Sequence, residues 1–205
     1  MSISLRSRFW RIILREMLKE QRVSIEESRA RSEQNARFMP RPRADVKVET
    51  INVDGIRAIW IQPPETEPNK VILHLHGGGY VIGSIAFYQT LCVPMAQTLR
   101  MNLLLPEYRL APEHPYPAAL EDALQMYNWL LAQGYKPADI LLSGDSAGGG
   151  LSLATVLALK EAGTALPGTV ACLSPWADLT LKGQSHITKA KSEVMLKTET
   201  WKEWA

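Results

Sequence analysis

The spacing of apolar residues changes twice along this chain, and each change marks a different kind of structure. Between residues 5 and 36, Trp10, Ile13, Leu14, Met17 and Leu18 recur at i, i+3, i+4 separations while Arg11, Arg15 and Lys19 take the other side. That pattern predicts an amphipathic helix. Met39-Pro40-Arg41-Pro42-Arg43 ends it, because prolines and the residues before them leave the helical region. From Asp45 the period falls to two: Val46, Val48 and Thr50 alternate with polar residues, Asp54-Gly55 supplies a turn, and Ile56, Ala58 and Trp60 follow. This is the pattern of an antiparallel hairpin. Beyond Pro63-Pro64 the apolar runs at 71–75, 102–105, 140–142 and 169–173 lack alternation, as strands covered on both faces do. Leu120, Leu124, Tyr127, Leu130 and Leu131 predict a helix from Pro117 to Gln133 that Gly134 ends, and a second helix is predicted from Ala147 to about Ala162, before Gly163. Strands alternating with such helices imply right-handed crossovers and a mostly parallel sheet with helices on both faces. The fold class is α/β.

Size and charge narrow the possibilities. A chain of 205 residues suits one domain with a small accessory segment. The net charge of +2 is spread over scattered residues, which offers no stripe for a phosphate backbone, so no nucleic-acid partner is expected. Cys92 and Cys172 lack metal-ligand spacing and are read as free thiols, which suits a reducing compartment; the expected location is cytoplasmic. No apolar run is long enough to span a bilayer, and Arg11 and Arg15 bracket the first apolar cluster, so neither a signal peptide nor integral membrane association is expected. The basic amphipathic helix is read as part of a lid across the domain, with a membrane-surface role as the alternative.

The first chemical signal is Gly144-Asp145-Ser146-Ala147-Gly148, set between an apolar run and a helix. It matches the G-x-S-x-G turn that presents a nucleophilic serine. A chain turning that sharply strains the serine and leaves room only for glycine two residues to either side. Ser146 would then stand at the start of a helix, whose partial positive charge favours a developing oxyanion. Five such residues also occur in flexible loops, so context matters. Gly148-Gly149-Gly150 is not read as a phosphate loop, since no lysine follows in the required place.

The second signal is His76-Gly77-Gly78-Gly79-Tyr80, directly after the 71–75 run and therefore at the carboxyl edge where α/β sheets gather their ligands. Consecutive glycines let backbone N–H groups converge on one point. Gly78 and Gly79 are the expected donors, with the Ala147 N–H completing the oxyanion hole. A surface hinge is the alternative for an isolated triple glycine. His76 is expected to hold this loop by hydrogen bonding and not to act as a base, and His74 to be a packed strand residue. Gly77, Tyr80, Gly144, Asp145 and Gly148 are the remaining supporting positions.

Four motifs in order, His76 to Tyr80, Tyr108-Arg-Leu-Ala-Pro-Glu-His-Pro115, Gly144-Asp-Ser-Ala-Gly-Gly149 and Ser174-Pro-Trp-Ala-Asp-Leu-Thr180, resemble the hormone-sensitive lipase family of bacterial esterases. The resemblance covers about residues 45–185. It implies an α/β-hydrolase core beneath an N-terminal cap, hydrolysis of short-to-medium acyl esters, a small-molecule ester as substrate, and neither metal nor organic cofactor. It divides the chain into a helical cap segment at 1–44, a partial core at 45–185 and the start of a second cap segment at 186–205. It also implies that the 108–115 segment and Asp178 support the site, with Arg109, Glu113 and Asp178 pinning loops by charge-assisted hydrogen bonds or remaining solvated.

Members of that family place the triad aspartate and histidine on later strands and loops, whereas this chain ends at Ala205. Both residues are therefore expected to be absent, the last strands missing, and the chain inactive alone. Ser146, Asp178 and His186 stand in the order Ser…Asp…His, but Asp178 belongs to the Ser-Pro-Trp turn and His186 opens the second cap segment, so they are not read as a triad. The leading function is a serine carboxylesterase. A small-molecule binder that keeps the pocket, or a lactonase, amidase or acyltransferase using the same serine, remains open, as does the oligomeric state.

Overall fold

The computed structural model describes residues 4–17, 24–38 and 45–189. In chain order these form α1 (Leu5–Met17), α2 (Ile25–Ala36), β1 (Lys47–Val53), β2 (Ile56–Gln62), β3 (Val71–Leu75), α3 (Ile85–Leu99), β4 (Asn102–Pro106), α4 (Ala118–Ala132), β5 (Ile140–Asp145), α5 (Ala147–Glu161), β6 (Thr169–Leu173) and α6 (Gln184–Thr188). A single turn of 3-10 helix, Pro137–Asp139, leads into β5.

The strands lie in one sheet in the order β1-β2-β4-β3-β5-β6. The β1–β2 hairpin closes at Asp54-Gly55, with φ of 48° and 95°, values that suit a tight hairpin turn. β2 pairs antiparallel with β4, and β4, β3, β5 and β6 are mutually parallel. After β3 the chain goes to β4 on one side and then crosses back to β5 on the other. The gap between β3 and β5 is thus a topological switch point, where ligand crevices open at the carboxyl ends of strands. Leu75 pairs with Gly144, so both strands end level there.

Alternate residues explain the two layers. Val71, Leu73 and Leu75 of β3, with Leu104 of β4, pack beneath α4 and α5 against Ala123, Met126, Tyr127, Leu130, Leu151 and Leu159. Ile72, Leu103 and Leu105 face the other way, onto Ile85, Cys92, Val93 and Ala96 of α3. β3 and β4 are buried along their whole length and β5 nearly so, as the unalternated runs predicted, but the fourth such run, β6, is not covered on both faces. At the far side β6 is less covered, with Val170 37% and Leu173 50% exposed.

Two elements differ from the sequence reading. The continuous helix expected over 5–36 is two helices, because Ser24 starts a new one with a reciprocal capping box: its hydroxyl accepts from the Glu27 N–H and the Glu27 carboxylate accepts from the Ser24 N–H. α3 is an unpredicted helix. Pro94 lies inside it and its few polar residues leave only a weak period, yet Ser84 caps its start by accepting the Phe87 N–H at 3.3 Å. Most of the second cap segment, 190–205, lies outside the described residues; its described beginning is the short α6.

Candidate active site

The turn from β5 into α5 forces Ser146 to φ 51° and ψ −119°, a conformation that costs a non-glycine residue on the order of 1–3 kcal/mol and persists only where its surroundings impose it. Here they do. The Ser146 N–H donates to Leu173 O at 2.9 Å, and Ser146 O accepts from the Trp176 N–H at 2.7 Å and the Gly150 N–H at 3.1 Å. A Cβ on Gly144 would overlap the carbonyl of Gly148, and one on Gly148 would overlap the carbonyl of Leu75. The helix start is therefore pressed directly against the end of β3. Ser146 is half-buried, and its hydroxyl has no hydrogen-bond partner among the described residues.

That close approach sets the glycine loop beside the serine turn. Gly78 adopts φ 123° and Gly79 φ 64°. At Gly78 a Cβ would collide with the carbonyl of Ile82, whose N–H bonds back to Gly78 O at 2.9 Å. The N–H groups of Gly78, Gly79 and Ala147 find no acceptor among the described residues, and for Ala147 this follows from its place at the start of α5. These are groups free to bind an anionic oxygen. Tyr80, at φ 64°, lies near Trp176 with ring centroids 6.1 Å apart, and its hydroxyl is pushed up to about 12 by burial.

Asp145 ties the two motifs together. One carboxylate oxygen accepts the Gly77 N–H at 3.0 Å, and the other accepts the Tyr88 hydroxyl at 2.8 Å; that hydroxyl oxygen in turn accepts the Gly77 N–H at 2.9 Å. Burial raises the Asp145 carboxyl, but hydrogen bonds involving His74, Tyr88 and Gly77 outweigh it and hold it below its usual range. His74 Nε2 stands 3.5 Å from Asp145 Oδ1, too long for a strong bond, while its Nδ1 meets Ser143 Oγ at 2.9 Å. At that distance the His74–Asp145 contact is a weak attraction.

His76 is fully buried, stacked on Tyr108 at 4.2 Å between centroids, with Nδ1 2.8 Å from Gly77 O. A carbonyl can only accept, so Nδ1 carries the proton. Burial pushes this imidazole down to about 4. A buried, neutral ring with its proton committed to the backbone has the geometry of a brace. The Tyr108 hydroxyl adds a bond to His76 O at 2.6 Å.

The outer charges do not converge. Arg109 binds the carboxylate of buried Asp122 and the exposed Glu121. Glu113 binds Arg29 of α2 in a two-pronged pair at 2.7 and 2.9 Å, and Arg29 also donates to Val81 O and Ala111 O at 2.7 and 2.8 Å. Asp178 accepts the N–H and hydroxyl of Thr180, which hold its carboxyl below the usual range. Neither Asp178 nor half-buried His186 hydrogen-bonds to Ser146. Tyr88, Asp122 and Arg29 escaped the sequence reading. Tyr88 sits on the unpredicted α3, and the others lie outside the motifs; the Ser84-x-x-Phe87 start of α3 was the available signal.

Known proteins fit this architecture. A family profile described as alpha/beta hydrolase fold matches residues 72–205. An acetyl-hydrolase of Streptomyces hygroscopicus is 41% identical over 150 residues, covering 73% of this chain and 50% of the relative. An esterase of Acinetobacter venetianus is 36% identical over 154 residues, covering 75% and 50%. The crystal structure of an esterase from the bacterial hormone-sensitive lipase family superposes with a TM-score of 0.88 at 38% identity, covering 100% of this chain and 68% of that one. The chain belongs to the α/β-hydrolase fold family, within the bacterial hormone-sensitive lipase group. It spans about half the length of the curated relatives it matches.

Proposed function

We propose that the protein is a carboxylic-ester hydrolase of short-to-medium acyl esters, working through an acyl-enzyme on Ser146. The observation that carries this reading is the strained Ser146 backbone at the start of α5, locked by the contact of Gly148 with the end of β3. Strain of that kind is retained where it positions a reacting group. The Ser146 oxygen attacks the ester carbonyl, and the Gly78, Gly79 and Ala147 N–H groups stabilise the oxyanion. The proton given up by the Ser146 hydroxyl passes to the alkoxide, which leaves as the alcohol, and water adds to the acyl-enzyme to release the acid and restore the serine. Neither the general base nor its orienting carboxylate is assigned to residues 1–205. His76, Gly77, Tyr80, Gly144, Asp145 and Gly148 hold the site in shape.

Residues 1–44 form a cap segment and 186–205 the start of a second; the Arg29 contacts with Val81 and Glu113 support the first. A cytoplasmic setting belongs to the same reading, supported by free Cys92 and Cys172. The names acetyl-hydrolase and esterase carried by relatives support a small acyl group, as does half-buried Tyr80 beside the glycine loop. The test is to express the gene's whole reading frame and assay p-nitrophenyl acetate, butyrate and palmitate. The two short esters should be the faster substrates. Ser146→Ala should lower turnover by at least roughly 10⁴-fold with an unchanged circular dichroism spectrum. Gly78→Val should lower kcat by roughly 10²–10³ and move KM much less. Near-normal kcat in a folded Ser146→Ala protein overturns the assignment.

A further inference from the structure

The glycine turn takes its outer support from a residue far away in sequence. A planar trans peptide points the C=O of one residue and the N–H of the next in opposite directions, so whatever grips a carbonyl aims the N–H beyond it. The N–H of Gly79, one of the proposed oxyanion donors, shares its peptide with Gly78 O. That oxygen accepts the Ile82 N–H at 2.9 Å and the Val81 N–H at 3.2 Å. The Ile82 N–H in turn shares its peptide with Val81 O, which accepts the Arg29 Nε–H at 2.7 Å. The Val81 N–H shares its own with Tyr80 O, which accepts the Ala111 N–H at 2.9 Å, and Arg29 Nη2 donates to Ala111 O at 2.8 Å. Glu113 holds the guanidinium in place from the other side by its two-pronged pair. Both peptides that bind Gly78 O are thus tied to this one arginine, one directly and one through Ala111.

We propose that Arg29 is a positioning residue for the ester chemistry, acting on the oxyanion through two peptide groups. The chain of bonds runs from Arg29 Nε–H to Val81 O, from the Ile82 N–H to Gly78 O, and from the Gly79 N–H to the oxyanion. Every link runs donor to acceptor in the same sense. A cation at the far end polarises the whole series in one direction, so the Gly79 N–H is both aimed and made a stronger donor where negative charge develops. The need for support is local. Gly78, Gly79 and Tyr80 adopt φ of 123°, 64° and 64° in succession, and Tyr80, which carries a side chain, keeps a left-handed conformation only where its surroundings impose it. Asp145 and Tyr88 anchor the inner end of the turn at the Gly77 N–H; Arg29 anchors the outer end. α2 thereby becomes part of the site although it has no buried residue. The inference rests on the ester-hydrolase reading above.

The experiment uses the enzyme from the whole reading frame, with p-nitrophenyl acetate as substrate and a trifluoromethyl ketone, which adds to the serine as an oxyanion, as the probe of the hole. Arg29→Met should lower kcat roughly tenfold, less than outright loss of a donor, and leave KM within about twofold. The ketone should bind more weakly by about the same factor, since it reports on the transition state. Arg29→Lys, which keeps a cationic donor without the fork, should recover part of both losses. Thermal unfolding should move little in either variant, which separates lost positioning from lost folding. If Arg29 only fastened α2, the loss would fall on KM while kcat and ketone affinity stayed at wild type, and that result overturns the proposal. The two readings fail differently: ester turnover that survives Ser146→Ala overturns the ester reading and this inference with it, whereas an intact kcat in Arg29→Met of a Ser146-dependent enzyme overturns the inference alone.

Discussion

Where β5 gives way to α5 the chain is held by backbone with no room to move, whereas α2 lies against α3 without burying a residue and is tied down by the four donors of one arginine. At the first place a single added methyl group would overlap the Leu75 carbonyl, and the Ser146 peptide groups are bonded on both sides. At the second, a partly exposed ion pair with Glu113 and two backbone carbonyls supply the polar part of the join, and α2 rests on α3 with no buried residue. The difference is one of physical means. Steric crowding is insensitive to pH and salt and fixes position to fractions of an ångström. Charge-assisted contacts at the surface are screened, worth little each, and reversible. A site that must hold strain requires the first kind, and a segment lying over it is held well enough by the second.

The strongest way to break this contrast is Gly148→Ala. Its Cβ would press α5 away from the ends of β3, so urea unfolding should show a loss of roughly 3 kcal/mol or more. A smaller loss would mean that the elbow has slack after all. Next comes pH, through His76. Its folded value of about 4 lies below the 6.5 of a free imidazole, so the unfolded chain takes up the proton first. The stability it contributes is fully present above about 6.5 and is lost as pH falls toward 4, on the order of 3 kcal/mol. The urea midpoint measured between pH 7 and pH 4 should fall accordingly, and His76→Gln should flatten that slope.

The smallest effect is expected at Arg29. Arg29→Met should cost about 1 kcal/mol or less, visible as faster amide exchange over Ile25–Ala36 with the exchange of β3 and β5 unchanged. Arg29 holds the Glu113 carboxyl at about 2, below its ordinary 4.5, so the clamp is complete above pH 4.5 and is lost only as pH falls through 2. At pH 4.5, where most of the His76 contribution is gone, α2 should still exchange slowly relative to Arg29→Met. If α2 instead loosened together with the core, the two regions would not be independent.

Much of this was legible in residue order alone. Unalternated apolar runs marked the four parallel strands, for β3, β4 and β5 because burial leaves few polar positions, whereas β6 keeps the pattern although it is largely uncovered, and the hairpin announced itself through Asp54-Gly55. The motif glycines were readable because only glycine survives where Gly148 and Gly78 lie. Less visible were features made by distance in sequence. Tyr88 reaches Asp145 across 57 residues, Arg29 reaches Glu113 across 84, and neither spacing leaves a local pattern. α3 was hidden because Pro94 stands inside it and its few polar residues, Gln89, Thr90, Gln97 and Thr98, leave only a weak period. The break between α1 and α2 was signalled by Ser24 and Glu27, a capping box whose weight was overridden by the longer apolar pattern.

Both peptide groups of Ser146 are bonded to the stretch that closes β6, through Leu173 O and the Trp176 N–H. Connecting loops ordinarily absorb insertions and deletions, since their ends can be rejoined at little cost. This one cannot. Adding or removing a residue between positions 173 and 176 would shift one anchor of the serine relative to the other, so related sequences should vary in length almost anywhere around this turn before they vary within it.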